Sequence, residues 1–276
     1  MLALVATEPV LSPVQAFVLG AVQGITELLP ISSSAHLYLV PTLLGWPYAG
    51  VAFDVAMHAG TLLALVAAFW DDWLRMARDA FHTDAARRTE ARSLFGMIVL
   101  ATIPGLIAGK LLNDEVDQLR SVPLQATTLL VFGILLWASD RFTARARDDR
   151  VPGWGTSIAV GLAQCLALIP GVSRSGITMT AGRFAGLSRL SAARFSFLLS
   201  TPITLAAVVY TGLLKSRDLL QHVPTSTLLI GMASSAVFSF LAIRLMLAMV
   251  RHIGFGIFAA YRVLLALGLF AWALRH

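Results

Sequence analysis

The chain has 276 residues, of which 57% are hydrophobic and 13% charged, with a net charge of +6 and a mean hydropathy of +0.77. Soluble domains carry about 25% charged residues, so this composition excludes a water-soluble globule and a disordered chain and indicates a polytopic helical membrane protein. The basic excess is concentrated: no Lys or Arg precedes Arg75, while Arg75, Arg78, Arg87, Arg88 and Arg92 crowd one stretch and Arg141, Arg145, Arg147 and Arg150 another. That distribution is the signature of positive-inside topology and argues against a nucleic-acid-binding surface.

Met1 to Ser12 is a short apolar lead interrupted by Glu8 and Pro9; without a basic start it is a poor signal peptide and is read as part of the mature chain. A helix starting at Ser12 or Pro13 runs to about Leu29, shorter than the roughly 20 residues of a full span. It stops at Pro30 and is followed by Ser32, Ser33, Ser34 and His36, with a second short helix from His36 to Leu44. Two half-helices joined by a polar turn predict a re-entrant hairpin, tolerated at membrane depth only where protein or a wet cavity covers it. Phe53 to Trp73 is the first full span, with Asp54 and His58 on one helix face. A basic loop is expected at Asp79 to Arg92, then a span from Ser93 to Gly109 kinked at Pro104-Gly105. The chain continues with an acidic loop from Lys110 to Ser121, a span from Val122 to Ala138 and a second arginine-rich loop from Asp140 to Arg150.

Trp154 to Ile169 is again too short to span. It breaks at Pro170-Gly171, resumes near Gly176 and reaches Leu187 as a second re-entrant hairpin. Spans from Ala193 to Leu214, Ser226 to Met249 and Ile253 to Trp272 complete the expectation. The fold class is therefore all-α: a polytopic integral membrane protein with six spanning helices and two re-entrant hairpins, in a single transmembrane domain over residues 1–276. Placing both arginine-rich loops inside puts the N-terminus and the acidic loop outside. Lone Cys165 cannot form an intrachain disulfide or a thiolate cluster and reads as a packing residue.

The two hairpins suggest an internal repeat. Gly20-x-x-Gln23 then Pro30-x-x-Ser33 matches Gly161-x-x-Gln164 then Pro170-x-x-Ser173, and Phe53 matches Phe195. Three intervening spans make the units, about 13–75 and 153–215, inverted. Inverted repeats with broken helices place a polar site near the midplane, in transporters above all.

Chemistry concentrates at the breaks. Gln23 and Glu27 share a helix face, and a buried carboxylate needs a partner. Arg174 offers a planar fork of donors suited to phosphate. Ser173 and Ser175 flank it with hydroxyls, and Gly171 and Gly176 admit close backbone approach. The two breaks are expected to meet around one phosphate group. Arg262, inside the last apolar run, needs an anionic or carbonyl partner, and structural pairing is preferred over substrate contact. Asp54 and His58 either line the cavity behind the first ring of residues, or Asp54 caps its helix near water.

At QGITELLPISSSAH (23–36), PGVSRSGIT (170–178), FDVAMHAGT (53–61) and Tyr261-Arg262, the sequence resembles the undecaprenyl-diphosphatase family, the bacitracin-resistance type, over essentially its whole length. The resemblance implies a bacterial inner-membrane hydrolase opening to the periplasm. It would remove the terminal phosphate of undecaprenyl diphosphate with a divalent cation, Mg or Ca, and recycle the lipid carrier for peptidoglycan synthesis. It also implies a fold of two interlocked inverted repeats. By position its motif residues match Glu27, Ser32, Ser33 and His36, and its phosphate-binding residues match Ser173 and Arg174. From what the reaction needs, Arg174 clamps the terminal phosphate, substrate contacts fall to Gln23, Ser32, Ser173, Ser175, Gly171 and Gly176, and Glu27 acts either as a base or, instead, as the ligand of the divalent cation. Gln23 stands where the family motif has Glu or Gln, so here it is not expected to be a strong metal ligand. Ser33 is the favoured nucleophile with Glu27 or His36 as base; His36 itself or a metal-activated water is the alternative. Partners are the polyprenyl diphosphate lipid and membrane lipids, with no nucleic acid; a homo-oligomer is left open. A polyprenyl-phosphate flippase and a non-catalytic lipid-binding protein are the competing functions.

Overall fold

A computed structural model describes residues 11–47, 50–143 and 152–275, without the side chains of 51–52, 113–117, 211 and 213–222. Most of the N-terminal lead, three arginines of the second basic loop (Arg145, Arg147, Arg150) and the side chains of Asp114, Glu115, Asp117, Lys215 and Arg217 lie outside that description. The described chain forms eleven α-helices and no strand: α1 Pro13–Leu28, α2 Ser33–Leu44, α3 Gly50–Ala68, α4 Trp70–Asp79, α5 Ala85–Asp117, α6 Val122–Phe142, α7 Trp154–Ala163, α8 Arg174–Phe184, α9 Arg189–His222, α10 Thr225–Met249 and α11 Gly256–Ala273. A 3₁₀ turn at Gln164–Leu168 extends α7 towards its break. Five helices are long and apolar enough to cross a membrane, and the pair α3–α4 makes a sixth if its 59° bend is counted within one span. The fold is that of an all-α, multi-pass integral membrane protein.

The bend separates α3 from α4 at Phe69, so Phe53 to Trp73 is not one straight span. Helix α4 is strongly amphipathic, with Asp71 and Asp72 at its start and Arg78 in its last turn, each favourable to the helix dipole. The basic loop is shorter than its charge suggests, because Arg87, Arg88 and Arg92 lie on the first turns of α5. Arg88 Nη1 donates to the His82 carbonyl at 3.0 Å and Arg92 Nε to the Ala80 carbonyl at 2.9 Å, satisfying acceptors just beyond the end of α4. Asp84 precedes α5, and the N–H groups of Ala86 and Arg87 hold its carboxyl below the usual aspartate range.

Small residues let α1, α3 and α10 approach backbone to backbone. A Cβ on Gly20 would stand 2.2 Å from the Gly231 carbonyl oxygen, and one on Gly60 2.2 Å from that of Met232. Close backbone approach through small residues is how helices associate where lipid removes the hydrophobic drive. Hydroxyls stitch the same interface: Ser234 Oγ donates to the Phe17 carbonyl and Ser235 Oγ to the Met57 carbonyl, both at 2.8 Å.

A second hub ties the end of the molecule that carries the arginines. Asp140, near the end of α6 and mostly shielded, accepts from Arg189 Nε at 2.6 Å, lies 3.6 Å from Arg183 Nε and takes the Phe255 N–H at 3.0 Å, which fixes the start of α11.

Candidate active site

The two breaks meet. Ser32 caps α2 and Ser173 caps α8, and they are the only described non-glycine residues with positive φ, 80° and 73°. Such backbone is disfavoured for an L-residue by about 1–3 kcal/mol and persists only where the surroundings impose it. Each serine offsets part of this by capping: Ser32 Oγ accepts the Ala35 N–H at 3.4 Å, and Ser173 Oγ the Gly176 N–H at 3.1 Å. Cross-links then join one break to the other. Ser34 Oγ accepts the Gly171 N–H at 3.3 Å, and Ser175 Oγ donates to the Leu29 carbonyl at 3.0 Å. Gly171 has φ +90° and no room for a side chain, since a Cβ there would stand 2.0 Å from Thr128 Oγ1.

Arg262 lies behind this seam, fully buried. Its guanidinium donates to the carbonyls of Gly171 and Val172 at 3.0 Å, of Pro30 and Leu129 at 3.3 Å and of Thr128 at 3.4 Å. One cation thus holds carbonyl groups of both breaks, which the half-helix ends leave without intrahelical partners.

On the other side of the seam Glu27 is the centre. Its Oε1 receives Arg174 Nη2 at 2.5 Å. Its Oε2 accepts the Ser33 hydroxyl and Gln23 Nε2 at 3.3 Å, with His58 Nε2 also at 3.3 Å. The opposite edge of Arg174 is anchored on α9, where Nη1 donates to Thr204 Oγ1 at 2.9 Å and to the Ser200 carbonyl at 3.3 Å. Glu27 itself is buried, while the side chains of Arg174 and His58 remain 16% and 24% exposed, so the centre opens to one side through its cationic and imidazole groups.

The structure therefore brings Glu27, Ser33, Arg174, Gln23 and His58 together. It uses Ser32, Ser173, Ser175, Gly171 and Gly176 for the backbone of the breaks: the three serines are buried with hydroxyls engaged, and a Cβ on Gly176 would stand 2.8 Å from Arg262 Nη1. His36 does not reach Glu27. Its Nδ1 faces the Ser32 carbonyl at 2.7 Å, which leaves Nε2 to accept from the Tyr261 hydroxyl at 2.6 Å, with the two rings stacked 5.7 Å apart. His58 takes the place at the carboxylate, oriented by its Nδ1 on the Asp54 carbonyl at 2.7 Å. Asp54 lies inside α3 and is no helix cap; its carboxylate meets Arg120 Nη1 at 3.2 Å. The i, i+4 spacing of Asp54 and His58 is the signal for this arrangement, but only the packing of α3 shows which histidine faces Glu27.

The internal match shifts by one residue at the breaks. The caps pair Ser32 with Ser173, which sets Ser33 opposite Arg174 and Ser34 opposite Ser175. The Ser33 hydroxyl and Arg174 thus occupy equivalent first positions of two capped half-helices.

Fold and site define a polytopic membrane protein with a carboxylate, a serine hydroxyl and an arginine assembled between two broken helices. The model of the family described as bacitracin resistance protein BacA matches residues 16–268. Relatives named undecaprenyl-diphosphatase include one from Gemmatimonas aurantiaca, 52% identical over 263 residues that cover 93% of this chain and 96% of that protein. Another, from Pelotomaculum thermopropionicum, is 44% identical over 94% of this chain and 96% of its own length, and one from Alcanivorax borkumensis is 46% identical over 94% and 98%. The chain belongs to the BacA family.

Proposed function

We propose that this chain hydrolyses undecaprenyl diphosphate to undecaprenyl phosphate and inorganic phosphate, recycling the lipid carrier for peptidoglycan synthesis and conferring resistance to bacitracin. The observation that carries the reading is the direct contact of Glu27 with both Ser33 and Arg174. It is supported by the name shared by relatives covering nearly the whole chain.

Each residue has a task set by its contacts. Arg174, fixed by Thr204 and the Ser200 carbonyl, turns Nη2 towards the space beside Ser33, where it neutralises the terminal phosphate oxygens as charge builds on them. Ser33 Oγ attacks the terminal phosphorus while Glu27 takes its proton. The new O–P bond replaces the bridging O–P bond, and the bridging electron pair leaves with undecaprenyl phosphate. Water then attacks the phosphoserine, inorganic phosphate departs, and Ser33 recovers its proton from Glu27. His58 and Gln23 hold the carboxylate in position. Arg262 positions both breaks through their carbonyls, and His36 with Tyr261 braces the first.

A divalent cation, Mg or Ca, belongs to this reading. Gln23 Oε1 is buried beside Glu27 without a hydrogen-bond partner, and no group of three or more His, Cys, Asp or Glu able to hold a metal occurs among the described residues. Glu27 and Gln23 Oε1 offer oxygen, which suits a hard cation held by one carboxylate with substrate phosphates completing its shell. In place of taking the Ser33 proton, Glu27 would hold it, assisted by Gln23 Oε1. Bound there, the cation would neutralise diphosphate charge.

Placing the arginine-rich end inside the bacterial inner membrane opens the site to the periplasm. In support, Asp54, one turn from His58, pairs with Arg120 in the α5–α6 connection, at the end of α5 away from Arg87 and Arg88. The equivalent caps support two inverted units over about 13–75 and 153–215.

The test is phosphate release from undecaprenyl diphosphate by the purified protein, with EDTA and with Mg or Ca restored. Activity that needs the cation and is lost in Ser33→Ala, with phosphoserine trapped in the wild type, is expected. A folded wild-type protein that releases no phosphate would refute the reading, and a trapped phosphohistidine would move the nucleophile.

A further inference from the structure

At the arginine-rich end, a cavity of about 700 Å³ opens between α4, the start of α5, the start of α9 and the end of α10. Its volume lies in the range of small-ligand sites. Its base is apolar, formed by residues such as Met76, Leu94, Phe195 and Leu198. Four carboxylates and four guanidinium groups line it. Only Asp72 and Arg194 pair with each other, at 2.6 Å. Among the described residues, no ion pair within 4 Å engages Asp71, Asp79, Glu90, Arg75, Arg87 or Arg251.

The two signs are unevenly placed. Helix α4 contributes three of the four carboxylates and a single arginine. The α9 and α10 side contributes Arg194 and Arg251 and no acid, and it adds the N-terminus of α9 around Leu190 and Ser191. The positive end of a long helix beside two arginines favours phosphate. The facing carboxylates are hydrogen-bond acceptors suited to a primary ammonium, which carries three donors. A quaternary ammonium prefers an aromatic cage, and among the described residues Phe195 is the sole aromatic one lining this cavity. An anion without a cationic group would meet the α4 acids with no counter-charge of its own.

We propose that this cavity binds a phosphoethanolamine group, with the phosphate towards Arg194 and Arg251 and the ammonium towards Asp71 and Asp79. A phospholipid headgroup and free phosphoethanolamine share this chemistry. Amphipathic α4, bent by 59° from α3 and exposing Trp70 and Leu74, fits the depth of lipid headgroups. The inference rests on the membrane placement of the chain and is independent of the reaction at Glu27.

The experiment is native mass spectrometry of the full-length protein in detergent, titrated with phosphatidylethanolamine, phosphatidylcholine and phosphatidylglycerol of identical acyl chains. Retention of phosphatidylethanolamine about fivefold above the other two is expected, as suits exposed charge pairs. The preference should fall to none in Asp79→Asn/Arg251→Ala, with phosphate release unchanged as the check on folding. Equal retention of the three lipids, or a preference unaffected by the double variant, would overturn the proposal. Displacement by free phosphoethanolamine at equal concentration assigns the site to the soluble source; resistance to it assigns the lipid.

Discussion

Glu27 and Ser33 should act as one unit, and a double-substitution cycle measures this. The Ser33 hydroxyl donates to Glu27 Oε2 and has no other described side-chain partner, so removing either member removes the same proton transfer. A positioned base contributes about a hundredfold to ten-thousandfold. Glu27→Gln and Ser33→Ala should each lower kcat about a thousandfold, or roughly 4 kcal/mol of barrier. If they act in series, the double variant falls little further; independent contributions would multiply to about a millionfold. Glu27→Gln also deprives Arg174 of its counter-charge. Breaking a buried pair destabilises by about 3–5 kcal/mol, but Arg174 is partly exposed and keeps Thr204 and the Ser200 carbonyl, so about 3 kcal/mol or less is expected here. Phosphate release under saturating substrate, with thermal unfolding as the control, reads both. A double variant a further thousandfold slower than either single one would refute the proton transfer.

Arg174→Lys retains the charge and loses the fork that spans Glu27 and Thr204; kcat should fall at least about a hundredfold with Tm near wild type. His36→Ala removes a brace against Tyr261 and no contact to Glu27, so its loss of kcat should be much smaller than that of Ser33→Ala in the same phosphate-release assay. Asp140→Asn leaves Arg183 and Arg189 without their carboxylate and weakens the start of α11; a loss of about 2–3 kcal/mol in unfolding, discounted for the exposure of Arg189, should come with unchanged KM. Gly60→Ala would place a methyl 2.2 Å from the Met232 carbonyl, and a lower Tm by differential scanning fluorimetry checks that α3 and α10 cannot separate to admit it.

The parts of the site legible in the sequence are those that offend the membrane. Glu27 and Arg174 stand in apolar surroundings beside proline and glycine, and burial obliges such charges to find partners. Helix extents were less legible, because the opening turns of α5 carry charges at a density that reads as loop, although charged residues outside the hydrocarbon region are free to stay helical. The bend at Phe69 has neither Pro nor Gly at its centre, so no local signal marks it. Nothing local separates His36 from His58 either. Each lies a few residues from a plausible partner, and only the packing of α1 against α3 decides which ring meets the carboxylate. Register at the breaks likewise depends on backbone: matching prolines pairs Ser33 with Ser173, whereas the capping geometry pairs Ser33 with Arg174.

The seam closed by Arg262 has a consequence for the order in which the protein matures. Its five carbonyl partners come from α6 and from both breaks, yet the guanidinium belongs to α11, which follows all of them in the chain. Until that helix inserts, the earlier segments lack the cation that draws their loose ends together. A nascent chain therefore carries Glu27, Ser33 and Arg174 before the seam behind them can close, and the closed seam waits for the insertion of α11.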